Sequence, residues 1–164
     1  MKSNAIDIPV LIIGYGNVLR RDDGVGWAAA RRLIDQLPGT TAKVWMVPQL
    51  LPELAEPMSR SELVIFIDAD AKLGAGQIQR RILRSPRRKN TQTIGHHQSP
   101  EGLIQMARDL YGRRPRALLF SIGGADFSFG CTLSSAVKTA VRKVVSDVVD
   151  AVMALSPKTG CCHA

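Results

Sequence analysis

Apolar residues in this chain fall into short unbroken runs, separated by stretches in which they recur every three or four positions. The first run, PVLIIGYG from Pro9 to Gly16, shows no polar alternation and ends in glycines, the pattern of a strand covered on both faces. Val25, Ala28, Ala29, Leu33 and Leu37 then repeat at helical spacing until Pro38-Gly39 stops them. A second strand is expected over Ala42 to Val47, a short proline-interrupted helix over Leu50 to Ser59, and a third strand over Leu63 to Ile67. Gln77 to Leu83 alternates polar and apolar side chains and begins only about eight residues beyond the third strand, too few for a parallel crossover helix. This fourth strand is therefore expected to run antiparallel, near a sheet edge.

Ser99-Pro100-Glu101 supplies a capping serine, a proline suited to the first helical position and an acid for the first turn, so a helix should run from here to Tyr111-Gly112. Arg116 to Ile122 reads as the fifth strand. Leu133 to Leu155 follows as a long amphipathic helix whose apolar face is Val137, Val141, Val144, Val145, Val148 and Val152. The alternation predicts an α/β fold: a three-layer sandwich with a five-stranded, mostly parallel twisted sheet, one antiparallel strand, and helices on both faces. A length of 164 residues suits one domain, residues 1–164, with about 1–8 and 157–164 as flexible tails.

Composition narrows the picture. No apolar stretch approaches the roughly 20 residues of a membrane span. The opening MKSNAIDIP places an acid and a proline where a signal peptide needs an apolar run, so a cytoplasmic protein is expected. Cys131, Cys161 and Cys162 are too few for a disulfide framework, and the terminal Cys161, Cys162 and His163 have nothing to fix metal-ligand geometry. The formal charge of +8 is concentrated in Arg80, Arg81, Arg84, Arg87, Arg88 and Lys89. Such a run suits an acidic partner or a solvated face; nucleic acid is disfavoured because no aromatic platform accompanies it.

Chemistry is expected where loops converge beyond the carboxyl ends of the parallel strands. Three features lie there: the loop from Gly14 to Gly26 containing Asp22 and Asp23, Asp68 ending the third strand, and His97 before the capped helix. About a dozen residues from Ser85 to His97 can span roughly 40 Å, enough to bring the chain back across the sheet after an antiparallel strand. Two aspartates and an imidazole balance a divalent ion such as nickel or zinc and leave coordination positions open for a carbonyl or water. Each also has a plainer reading. Either Asp22 or Asp23 serves as a helix cap, Asp68 as a turn former, and His96 and His97 as loop surface.

GYGNVLRRDDGVG, then VIFIDA, then HHQSPEGL, and finally SIGGADFSFGCTLSSAV resemble, in order and separation, the hydrogenase maturation proteases. The resemblance implies that Asp23, Asp68 and His97 are the catalytic and metal-engaging residues, with Gly16, Asn17, Asp22, Asp70 and His96 contributing to substrate binding. Either histidine of the pair is a candidate, His97 being chosen for its place before the helix. Asp70 orients the histidine, repels a misplaced carboxylate, or plays no part. The implied substrate and partner is a nickel-iron hydrogenase large-subunit precursor whose C-terminal extension is removed after nickel insertion. The nickel arrives with the substrate, and a monomer is expected. Whether hydrolysis is aspartic or metal-assisted stays open. Where relatives often carry an acid, this chain has Cys131, expected as a buried free thiol.

Two other functions compete. A nucleotide-binding domain shares Gly14-Tyr15-Gly16, but the third glycine and the phosphate-loop lysine are missing and Asp22-Asp23 would repel a pyrophosphate, so no nucleotide is expected. A non-catalytic nickel metallochaperone for the same precursor would use the same residues. No Gly-x-Ser-x-Gly elbow or His-Glu-x-x-His helix supports another protease chemistry.

Overall fold

The apolar run at the start of the chain becomes β1 (Ile8–Tyr15), flanked in parallel by β2 (Ala42–Val47) and β3 (Ser61–Asp70). The structure, a computed structural model, describes residues 8–84 and 98–155. Beyond β3 lies β5 (Arg116–Gly123), also parallel, and the edge is closed by the antiparallel β4 (Ile78–Leu83). The order is β2-β1-β3-β5-β4, so the short connection after β3 does produce an antiparallel edge strand.

Successive side chains of a strand point to opposite faces, and the two faces have separate cores. Val10 and Ile12 of β1, with Ile65 and Phe120, pack against α1 (Val25–Gln36) and α4 (Ser135–Met153). Leu11 and Ile13, with Phe66, pack against α2 (Ala55–Ser59) and α3 (Pro100–Tyr111). All six valines expected on the apolar face of α4 are buried. Valine is a weak helix former because its branched side chain loses rotamer freedom, so α4 depends on this packing rather than on local propensity. In α3 the Ser99 hydroxyl accepts the Gly102 amide at 3.0 Å and Pro100 opens the first turn, as its sequence requires.

Four expectations are corrected. β3 is longer than Leu63 to Ile67: Asp68, Ala69 and Asp70 continue its pairing with Ser121, Ile122 and Gly123, because β5 offers backbone partners past the end of the apolar run. Asp68 therefore lies within the strand. The Leu50 to Ser59 segment is a 3-10 turn, Pro52–Leu54, followed by the short α2. Neither Asp22 nor Asp23 caps α1; a 3-10 turn, Arg21–Gly24, leads into the helix and no side chain caps it. Ile8, placed in the amino-terminal tail, begins β1 and is buried. The tail over 157–164 lies outside the described residues, and among those described no helix is long and apolar enough to cross a membrane.

Candidate functional site

The chain leaves β1 toward β2 by way of α1 on one face, and reaches β3 by way of α2 on the other. The chain thus leaves the neighbouring strands β1 and β3 in opposite directions, the arrangement that in open α/β sheets places a binding crevice beyond their carboxyl ends. Gly26 seats α1 against this edge, for a Cβ there would lie within 2.6 Å of backbone atoms of both Tyr15 and Ile67. The loop turns at Gly16, whose φ of +133° favours glycine, and a side chain there would strike the Asp23 carbonyl. Asn17 then folds the chain back: its side-chain oxygen accepts the Leu19 amide, and its own amide donates to Asp23 Oδ2, both at 2.9 Å. Asp23 is half-buried with one carboxylate oxygen fixed in this way.

Asp22 has a different role from the substrate-binding one expected of it. It is fully buried, and its carboxylate accepts the amides of Ser134 at 2.7 Å, Ala125 at 2.8 Å and Asp126 at 3.0 Å. Burial works against the charge, but these amides outweigh it and hold the carboxyl below its ordinary range. Asp22 ties the loop after β1 to the segment between β5 and α4. The same junction holds Arg21 at a φ of +42°, uncommon for a residue with a side chain: its backbone N–H donates to the Gly130 carbonyl at 2.7 Å and its side chain pairs with Asp126 at 3.3 Å.

Asp68 lies near the carboxyl end of β3, half-buried, opposite Ser121. Its carboxyl is pushed up to about 6, first by burial and then by the nearby charges of Asp23 and Asp70, against the opposing effect of a hydrogen bond with Tyr15. Asp68 thus feels the charge of Asp23, on the loop after β1, as well as that of Asp70 on its own strand. Tyr15, the last residue of β1, was not singled out from the sequence. Its phenol is driven upward by burial and by Asp68, which keeps it a neutral hydrogen-bond donor, and its ring packs edge-on against Phe66 at 6.5 Å. The available signal was a tyrosine ending a buried strand, since such a hydroxyl needs a partner. Asp70 accepts the Lys72 amide at 2.8 Å and acts on Asp68 through its charge.

His96 and His97 lie outside the described residues, as do Arg87, Arg88, Lys89, Cys161, Cys162 and His163. Among the described residues no group of three His, Cys, Asp or Glu side chains could hold a metal ion. Cys131 is exposed rather than buried, because the inward bond of its segment is made by the Ser134 amide to Asp22. It lines a groove of about 430 Å³ with Trp27 and Leu133. Exposed Val18, Leu19 and Phe129, the last 82% accessible, surround the loop and its neighbours with apolar surface of the kind a polypeptide covers. A carboxylate with its proton affinity near neutrality, under the influence of other acidic side chains, can accept a proton from water or contribute to binding a divalent cation.

No family model and no curated protein matches the chain. Solved structures do share its fold. The [NiFe] hydrogenase maturation protease HybD from Thermococcus kodakarensis is 24% identical with a TM-score of 0.67, over 88% of this chain and 99% of that one. The hydrogenase 2 maturation peptidase from Thaumarchaeota archaeon SCGC_AB-539-E09 is 23% identical at a TM-score of 0.67, over 88% and 98%. The hydrogenase maturating endopeptidase HybD from E. coli is 20% identical at 0.71, over 91% and 94%. The chain thus has the α/β fold found in hydrogenase maturation proteases.

Proposed function

We propose that this chain is an endopeptidase of hydrogenase maturation, which removes the C-terminal extension of a nickel-iron hydrogenase large-subunit precursor once nickel has been inserted. The reading is supported by the electrostatic influence of Asp23 on Asp68 at the carboxyl ends of neighbouring strands β1 and β3, in a fold shared with proteins named for that activity. In this reading Asp23, Asp68 and His97 engage the substrate's nickel. Hard carboxylate oxygens and a borderline imidazole nitrogen suit that ion and balance its charge.

Asp23 has one carboxylate oxygen held by the Asn17 backbone amide, and in this reading the other is the one that engages the substrate. Asp68 is ionised at neutral pH but more basic than an ordinary aspartate, which suits it to taking a proton from an attacking water as well as to binding metal. Gly16 and Asn17 shape the loop against which the extension lies, Asp70 sets the charge felt by Asp68, and Asp22 supports the loop from beneath. In this reading the enzyme is a monomer that works in the cytoplasm.

Incubation with nickel-loaded and nickel-free precursor, followed by mass spectrometry of the large subunit, tests the reading. Shortening of the loaded precursor alone is the expected result. Equal cutting of both forms would remove the nickel requirement, and an uncut loaded precursor that nonetheless forms a complex would make the chain a metallochaperone.

A further inference from the structure

At the opposite edge of the sheet, near the starts of β3 and β5, lies a cleft of about 520 Å³ between β4 and the last turn of α4. Arg80 and Arg84 reach it from the β4 side, and Arg114 and Arg116 from the lead-in to β5. None of the four has a carboxylate partner among the described residues, and no acidic residue lines the cleft. Arg80 instead lies over the Phe120 ring, 5.8 Å from its centroid. The floor is apolar: Leu155 lines it, and Ile82 is 71% exposed although its neighbours in the strand pair regularly with β5.

We infer that this cleft is a docking site for an acidic peptide segment of a partner protein, one that alternates carboxylates with aliphatic side chains. Four like charges around an apolar floor repel one another in the free protein, and an incoming acidic segment relieves that repulsion. Guanidinium groups pair with carboxylates through two parallel hydrogen bonds, while the floor takes the aliphatic side chains. A nucleic-acid backbone would gain nothing from an apolar floor, and among the described residues no aromatic side chain lines the cleft for bases to stack on. From Leu63 to Asp68 along β3 is about 17 Å at the rise of a strand, so the cleft is separate from the carboxyl-edge crevice and the inference does not depend on the protease reading.

The test is fluorescence anisotropy with a labelled peptide of alternating Glu and Leu, a matched Gln and Leu peptide, and a single-stranded oligonucleotide. The Glu and Leu peptide is expected to bind saturably and most tightly of the three. Its affinity should fall by about tenfold or more in the double variant Arg84→Glu and Arg116→Glu, with a smaller loss in Arg84→Gln and Arg116→Gln. Asp68→Asn should bind it as the parent does. Equal binding of the Gln and Leu peptide, equal binding by the folded charge-reversed variants, or tighter binding of the oligonucleotide would each overturn the assignment.

Discussion

Asp22 and Asp23 are adjacent and chemically identical, yet one peptide unit gives them opposite fates. The side chain of Asp22 points inward, where amides from three residues that lie more than a hundred positions later converge on it. That of Asp23 stays half-buried, with one oxygen taking the Asn17 backbone amide. Replacing Asp22 with alanine would leave those amides unpaired, and a loss of about 3 kcal/mol is expected, read as a lower urea midpoint. Because the folded state depresses this carboxyl, its contribution is complete above the ordinary aspartate value of 3.8 and is lost as pH falls through the folded value. The parent should therefore lose stability on the acid side more steeply than Asp22→Ala. Asp68 has the opposite sign. Its value of about 6 means that the folded chain holds a proton the unfolded chain has released, so stability declines as pH rises from 3.8 to about 6. Asp68→Asn should then be more stable than the parent at pH 8 by about 1–2 kcal/mol, after discounting for a carboxyl that is partly exposed. A denaturation curve showing no gain would mean that Asp68 is not strained in this way.

At the scale of elements, the position of the site depends on how closely α1 approaches the sheet. Glycine at 26 lets the first turn of the helix touch the backbones of β1 and β3, which carries Asp23 to the mouth of the crevice. A methyl group at Gly26 must displace backbone rather than a flexible side chain. Gly26→Ala is expected to cost about 3 kcal/mol, with a matching drop in melting temperature, and to reduce any cleavage activity by moving Asp23 away from Asp68. The helices were legible because their apolar periodicity and caps are local signals: α3 begins where Ser99, Pro100 and Glu101 place it. The extension of β3 to Asp70 was not legible, because its last residues are held by pairing with β5, fifty or so positions away in sequence.

For the whole molecule, the parallel sheet sets two chemically distinct ends apart. Acidic groups gather at the carboxyl ends of β1 and β3, while arginines with no carboxylate partner among the described residues gather near the starts of β3 and β5. Asp22 and Arg84 belong to opposite ends and share no partner, so the stability changes of Asp22→Ala and Arg84→Glu should add within about 0.5 kcal/mol in a double-mutant cycle. A larger coupling would mean that the two ends communicate through the sheet. The sequence by itself determined the layered α/β fold, the antiparallel edge strand, the faces of the helices, the loop that bears Asp23 and the strand that carries Asp68. These follow from the spacing of apolar residues and from short turns, which act over a few positions of chain. Only the tertiary structure decided which of two neighbouring aspartates is sealed inside, that Tyr15 faces Asp68, that Cys131 is open to solvent, and that arginines from two separate segments share one cleft. Each of those depends on contacts between residues far apart in sequence, and the free energy of such a contact is fixed by which groups the completed fold brings together.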